Sequence, residues 1–296
     1  MVISKSQKIF NNFIHVLLMT MAVFMIMPFV LLFMSSITDE VTLIKNGYSF
    51  IPEKFSSSAY QYLINSGEKI LRSYGMTFAI TAAGTITHMA MASLLAYGLS
   101  LKNLPGKKFI SFFVFFTMLF NGGLVPTYLM YTGIFNIKNT FFGLVVPQFM
   151  MNAMNVIMIR TYFQNSIPPA LFEACKIDGG GHLVTFRHVV LPLGKPILVS
   201  MGLFTALTYW NDWTNALYYV SDRKLWGIQS LLNEMISNIQ YLSSNTNVSS
   251  NVDMSKIPNA SIRMAIAFVG ILPVLMLFPF LQKYFAKGIA LGAVKG

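Results

Sequence analysis

Two places in this 296-residue chain gather side chains that can do more than pack. The first is EACKIDGGGHLVTFRHVVLPL, residues 173–193, where Glu173, Lys176, Asp178, His182, Arg187 and His188 crowd around three consecutive glycines. Acids, bases and imidazoles at that density can hold a metal, move a proton or pair with a charged partner surface. The second is the stripe Thr208, Asn211, Asp212, Asn215 and Tyr219, spaced at 0, 3, 4, 7 and 11 and flanked by Trp210 and Trp213. On an unbroken helix that spacing makes one face. An acid, two amides, hydroxyls and aromatic rings there supply hydrogen-bond donors and acceptors beside flat apolar surfaces.

Most catalytic readings fail on residue type. His182 and His188 fall short of a metal site, which needs more ligands with convergent geometry. His15 and His88 are lone histidines in apolar stretches and are expected to make helix-packing hydrogen bonds. The single cysteine, Cys175, excludes a disulfide framework and any zinc cluster built on cysteines. No phosphate-cradling GxxxxGK[ST] occurs, so ATP hydrolysis is not a chemistry this chain supplies.

The elements that must position these groups are set by hydropathy. Charged residues make up 10% of the chain and hydrophobic ones 55%, with mean hydropathy +0.60. A soluble domain carries about 25% charged residues. Six runs lack Asp, Glu, Lys and Arg: Ile9–Thr38, Ser73–Leu101, Phe109–Ile137, Asn139–Ile159, Pro196–Asn211 and Met264–Gln282. Crossing a bilayer takes about 20 mostly apolar residues, and the fifth run reaches that length if it continues past Asp212 to Val220. The pattern predicts an all-α polytopic membrane protein, one domain over 1–296. Its six transmembrane helices fall near 12–34, 74–100, 109–131, 139–160, 197–220 and 263–282. The alternating segments of a transmembrane β-barrel are absent. The first span is too long for a cleavable signal, and no small-residue cleavage site follows it.

Charge then sets orientation. With the N-terminus inside, inward segments hold 12 Lys or Arg against two acids, Glu173 and Asp178, while outward segments hold 9 bases and 7 acids. That asymmetry fits the positive-inside rule and predicts cytoplasmic termini and a cytoplasmic loop 161–196. The net charge of +11 therefore reads as topology, not as a nucleic-acid surface. The outer loop 221–262 opens with LWGIQSLLNEMISNIQYL, apolar at helical spacing, and continues into the polar SSNTNVSSN.

Loop 161–196 has the punctuation of a folded knob. Ser166-Ile167-Pro168-Pro169 suits a helix start, ALFEACKI reads as a short helix, and Gly179-Gly180-Gly181 stops it. HLVTFRHVVL reads as a second short helix ended by Pro192. From the residues alone, an elbow lying on lipid headgroups and a knob that docks on protein are both open.

Glu173-Ala174-Cys175, three residues, Gly179, nine residues, then Val189-Val190-Leu191-Pro192 resembles the EAA loop of ABC importer permeases. That loop runs Glu-Ala-Ala, three residues, Gly, nine residues, Ile-x-Leu-Pro. Cys175 replaces the second alanine, and Gly180 stands where alanine or cysteine is common. The stretches SSITDEVTLIKNGYSFIPEKF, FNGGLVPTYLM, YWNDWTNALYYV and KGIALGAVKG are similar to the carbohydrate-uptake branch, in particular to permeases for oligosaccharides cut from complex polysaccharides.

The resemblance implies a six-helix, type I importer permease in the bacterial cytoplasmic (inner) membrane. It also implies three kinds of partner: a second homologous permease, two cytoplasmic ATPases that bind ATP and Mg, and an extracytoplasmic solute-binding protein. The chain itself is expected to bind no cofactor and no metal. Ala170–Ile177 becomes a coupling helix seated in an ATPase cleft. Glu173 pairs with a base there, and Ala174 and Cys175 are small so that the surfaces close. Asp178 braces the turn, Gly179 supplies the elbow, and Val189, Leu191 and Pro192 anchor the loop. The outer loop 223–261, with its Ser/Asn-rich tip at Ser243–Asn251, is expected to enter the open binding protein, a lid packing on its own permease being the alternative.

For the stripe Thr208, Trp210, Asn211, Asp212, Asn215 and Tyr219, sugar hydroxyls and the apolar face of a pyranose fit a translocation path. Hydrogen bonding between two permeases fits equally well. Two other functions stay open: an ion-coupled carrier, for which Asp212, the one acid in six spans, is the candidate at mid-membrane, and an ABC importer permease for a non-sugar solute.

Overall fold

The computed structural model describes residues 5–147, 150–244 and 260–293, so the expected probe at Ser243–Asn251 lies mostly outside the described residues. The described chain is helical apart from one isolated bridge, Thr38 to Phe55. It divides into two compact units, Met1–Ile70 with Leu232–Val274 and Leu71–Leu231 with Leu275–Gly296, where the sequence showed no boundary.

In the first unit, α1 (Lys5–Ser36) is a long apolar helix, α2 (Glu40–Asn46) and α3 (Ser58–Asn65) are short, and α4 (Gly67–Ser100) begins there. The link from α1 to α3 is pinned by Ser36 Oγ and Tyr60 OH at 2.8 Å and by Asp39 N–H donating to Lys54 O at 2.9 Å. Glu40 is buried at the start of α15 (Ala260–Ala293). Its Oε1 accepts the Ala260 N–H at 2.8 Å, and its Oε2 accepts the Ser261 N–H at 3.0 Å and hydroxyl at 2.8 Å. A carboxylate on the unpaired N–H groups of a helix start is a favourable cap, and here it comes from another part of the chain.

The second unit continues α4. It adds α5 (Lys107–Leu119), α6 (Leu124–Leu129), α7 (Phe142–Val145), α8 (Ala153–Ser166), α9 (Pro169–Ile177) and α10 (His182–Thr185). After these come α11 (Leu191–Leu193), α12 (Lys195–Trp210), α13 (Thr214–Tyr219) and the start of α14 (Ile228–Ser244). One core joins Ala92, Ala96 and Leu99 of α4 to Val156, Ile159 and Phe163 of α8, and to Ile167, Phe186, Val190 and Ile197. A second joins Ile80, Leu144, Val145, Tyr209, Ala216 and Tyr219.

By length and composition, Gln7–Ser36 and Gly67–Ser100 can each cross a membrane as one helix. Three of the expected spans are not single helices, and each carries a side-chain-to-backbone bond at or beside its break. Within 109–131 the chain leaves the helix at Phe120, Asn121 Oδ1 accepts the Gly123 N–H at 2.8 Å, and Gly123 takes φ 88°. The helix pair on either side is bent by 116°. Within 139–160, α7 ends at Val145 and α8 starts at Ala153, where Asn152 Oδ1 accepts the Met154 N–H at 2.8 Å. Within 197–220, α12 ends at Trp210 and Asp212 Oδ1 accepts the Thr214 N–H at 3.0 Å. In each case an Asn or Asp side chain bonds the backbone two residues on, the Asx turn that competes with helix.

Candidate functional site: an elbow and a membrane recess

The 161–196 loop folds locally for reasons written in its glycines and prolines. Pro169 opens α9, where a missing N–H costs nothing. Gly179 follows at φ +79°, the left-handed geometry that stops the helix. The next helical stretch runs through His182–Thr185, a π turn at Phe186–Val190, and Leu191–Leu193, so it continues through Pro192 instead of ending there. The wider turn makes room for a residue that lacks an N–H and crowds the preceding turn. The stretch ends at Gly194, where the chain bends by 80° into α12. A Cβ there would stand 2.6 Å from the Phe163 ring and 2.7 Å from Val190 O, so the bend needs glycine for close approach.

The elbow has a fixed inside and a bare outside. Ile167, Phe186 and Val190 are buried in the core, Val189 and Leu191 pack against it, and Tyr97 and Phe186 rings lie 5.4 Å apart. Outward, Glu173, Ala174, Lys176, Asp178 and Pro192 are exposed. So are apolar side chains at the tip, Ile177 at 86% and Leu183 at 76%. Asp178 closes α9 with its backbone, its N–H bonding Ala174 O at 3.0 Å, while its side chain is exposed.

Cys175 departs from expectation. It turns half inward and its sulfur accepts the Thr185 hydroxyl at 3.3 Å. A Cβ on Gly180 would lie 2.6 Å from that sulfur. Cys175 thus fills the space beneath Gly180, whereas Ala174 is exposed. Among the described residues, no three His, Cys, Asp or Glu side chains converge to hold a metal.

The stripe around Asp212 is divided by the break between α12 and α13, so its members do not share one helical face. Trp210 is buried against Phe78, ring centroids 5.1 Å apart. Asn215 is fully buried and its Nδ2 donates to Pro147 O at 3.0 Å. Tyr219, also fully buried, packs on Tyr128 and Tyr131 at 5.8 and 6.1 Å. These three serve the internal packing of the chain and do not line an open path. Asp212 caps α13: besides the Thr214 N–H, its Oδ1 accepts the Thr214 hydroxyl at 2.7 Å and the Asn215 N–H at 3.2 Å.

Thr208, Asn211 and Asp212 do come together. With Phe204, Leu207, Trp213 and Thr214 they line an open recess of about 400 Å³. Phe204 and Thr214 were missed, although a Thr two residues after an Asp is itself an Asx-turn signal.

A polar contact inside the core was missed too. Asn155 Nδ2 lies 2.9 Å from His88 Nε2 and donates to Thr205 Oγ1 at 3.0 Å, tying α4, α8 and α12 together. His88 therefore makes the expected helix-packing bond, whereas His15 is exposed and bonds Asn11 O of its own helix at 2.6 Å.

No family model matches the chain. Two curated proteins of Bacillus subtilis (strain 168) do. The polygalacturonan/rhamnogalacturonan transport system permease protein YtcP is 36% identical over 98% of this chain and 99% of its own length. Protein LplC is 34% identical over 92% of this chain and 90% of its own. This chain is a carbohydrate ABC importer permease. The permease fold extends to a solved structure. A chain of a bacterial ABC transporter involved in the import of the acidic polysaccharide alginate matches 95% of this permease and 98% of itself, with TM-score 0.78 at 28% identity. The permease is accordingly a multi-pass, non-catalytic membrane subunit of a sugar importer.

Proposed function

We propose that the permease forms half of the membrane channel through which an ATP-driven importer moves an oligosaccharide derived from a complex polysaccharide. Its full-length likeness to a polygalacturonan/rhamnogalacturonan permease carries the substrate class. In this reading α1, α4, the α5–α6 pair, the α7–α8 pair, the α12–α13 pair and α15 make six spans with both termini cytoplasmic. A second permease, two ATPases binding ATP and Mg, and an extracytoplasmic binding protein complete the importer.

The elbow is the coupling element. A rigid turn at Gly179 presents Glu173, Ala174, Lys176 and the bare Ile177 and Leu183 away from the core. Exposed apolar side chains ringed by charge mark a protein interface. Asp178 flanks that tip, and Val189, Leu191 and Pro192 join the elbow to α12, so that closure of the ATPases is passed into the path. Sugar passes along Thr208, Asn211 and Asp212, with Trp213 in place of Trp210 as the aromatic surface.

The test is uptake of labelled oligosaccharide by the complete importer. Loss of the permease should abolish ATP-dependent uptake, and Leu183→Glu should leave it in the membrane while releasing the ATPases. Retained ATPases and normal uptake in Leu183→Glu would refute the coupling assignment.

A further inference from the structure

The recess has a chemical bias that the substrate class alone does not predict. Its polar lining is Thr208, Asn211, Asp212 and Thr214, its apolar lining Phe204, Leu207 and Trp213, and among the described residues no Lys, Arg or His contributes. Phe204 is 51% and Trp213 41% exposed, so both offer ring faces outward. Asp212 Oδ1 accepts three bonds from the start of α13, which fixes the carboxylate at the edge of the recess it lines. A carboxylate on the substrate would find no cation in this lining to pair with, and the Asp212 carboxylate beside it. Two carboxylates side by side repel. A ring bearing only hydroxyls meets the opposite situation, with acceptors at Asp212, Asn211 and Thr208 and aromatic faces for its C–H side.

From this we infer that the recess receives an uncharged sugar unit and discriminates against a uronate at that position. Acidic units of a substrate are then met elsewhere in the importer. The inference rests on the sugar path proposed above and specifies which part of a mixed oligosaccharide this permease touches.

The experiment uses the complete complex in proteoliposomes with its own binding protein and ATP. Two labelled oligosaccharides of equal length, one neutral and one containing uronate, are supplied at concentrations that saturate the binding protein. Asn211→Lys gives the recess a cation and should shift the ratio of transport rates toward the uronate compound by about tenfold, the factor set by 1.4 kcal/mol. Thr208→Lys, on the preceding turn, should shift it the same way and covers the case in which Asn211→Lys does not assemble. Trp213→Ala should lower both rates and leave their ratio unchanged. An unchanged ratio in both lysine variants, with ATP-driven transport intact, overturns the inference and leaves the importer reading standing. Transport of neither compound by the wild type overturns the sugar path and the inference together.

Discussion

The elbow at 166–194 and the helical stretch at 195–220 sit next to each other in sequence and break their helices by different means. In the elbow every break is marked by a residue whose backbone enforces it: Pro169, Gly179 at φ +79° and Gly194 against Phe163. In the stretch that follows, the break falls at Asn211–Trp213, where the charge-free run ends and the expected span was carried on past Asp212. The difference lies in how each break is stabilised. Glycine and proline act through their own backbone, whereas Asp212 acts through a side-chain bond to residues ahead of it. A periodicity count assumes that such a bond is not made.

Packing rather than backbone geometry holds the second region, and the most damaging substitution should therefore fall there. Gly84 of α4 lies against the buried Tyr209 ring, and a Cβ on it would stand 2.3 Å from the nearest ring atom. The ring cannot swing aside freely, because Tyr209 OH donates to Val145 O at 2.9 Å. Overpacking of this kind costs about 1–3 kcal/mol, occasionally more, and Gly84→Leu belongs at the upper end. The permease should be lost from detergent extracts or melt well below wild type by thermal-shift assay. Wild-type melting would show that α4 and α12 are not packed as described.

The elbow should respond to single substitutions in a graded way that follows its backbone. Gly179→Val places a β-branched residue at positive φ, a strain on the order of 1–3 kcal/mol, and should cut ATPase retention most. Gly180→Ala should also cut it, since its Cβ would stand 2.6 Å from the Cys175 sulfur and 2.8 Å from the Cys175 backbone carbonyl. Adding Cys175→Ala should recover part of that loss, because it removes the sulfur and leaves the carbonyl. Gly181→Ala should be silent, with no atom within 4 Å of its Cβ. Co-purification of the ATPases with each variant, scored against permease abundance, gives the order. Equal behaviour of the three glycines would mean that the elbow is a tether without a fixed shape.

This contrast accounts for how much the sequence disclosed. Charge asymmetry located the loop, and its prolines and glycines located the two helical stretches and Gly179, because each depends on residues adjacent in sequence. The apolar periodicity at Ile228, Leu231 and Leu232 marked α14, and all three residues are buried. The breaks at Asn121 and Asn152 were passed over, since in a run judged by charge and hydropathy an Asn counts as merely neutral, and the one at Asp212 because a span of full length had to run through it. Contacts between distant segments left no local signal at all. The Glu40 cap on α15 and the His88–Asn155–Thr205 contact unite positions 50 to 221 residues apart, so no window of sequence contains both partners.

The gentlest test separates the two things Asp212 can contribute, its cap and its charge. Asn is as good an N-cap as Asp, so Asp212→Asn keeps an Oδ1 for the Thr214 and Asn215 N–H groups. Asp212→Ala removes it and should cost about 1 kcal/mol of local stability, within the range for lost caps. If the cap is the main contribution, Asp212→Asn should support ATP-driven uptake of a neutral oligosaccharide close to the wild-type rate, while Asp212→Ala should lower both the melting temperature and the rate. The carboxylate also repels a uronate at the recess, so Asp212→Asn should raise uronate transport slightly while leaving the neutral rate alone. That change should be smaller than the one produced by Asn211→Lys, since it removes a repulsion without supplying a partner. Should Asp212→Asn instead fall as far as Asp212→Ala, the negative charge itself would be what transport needs, and the break between α12 and α13 would be incidental to it.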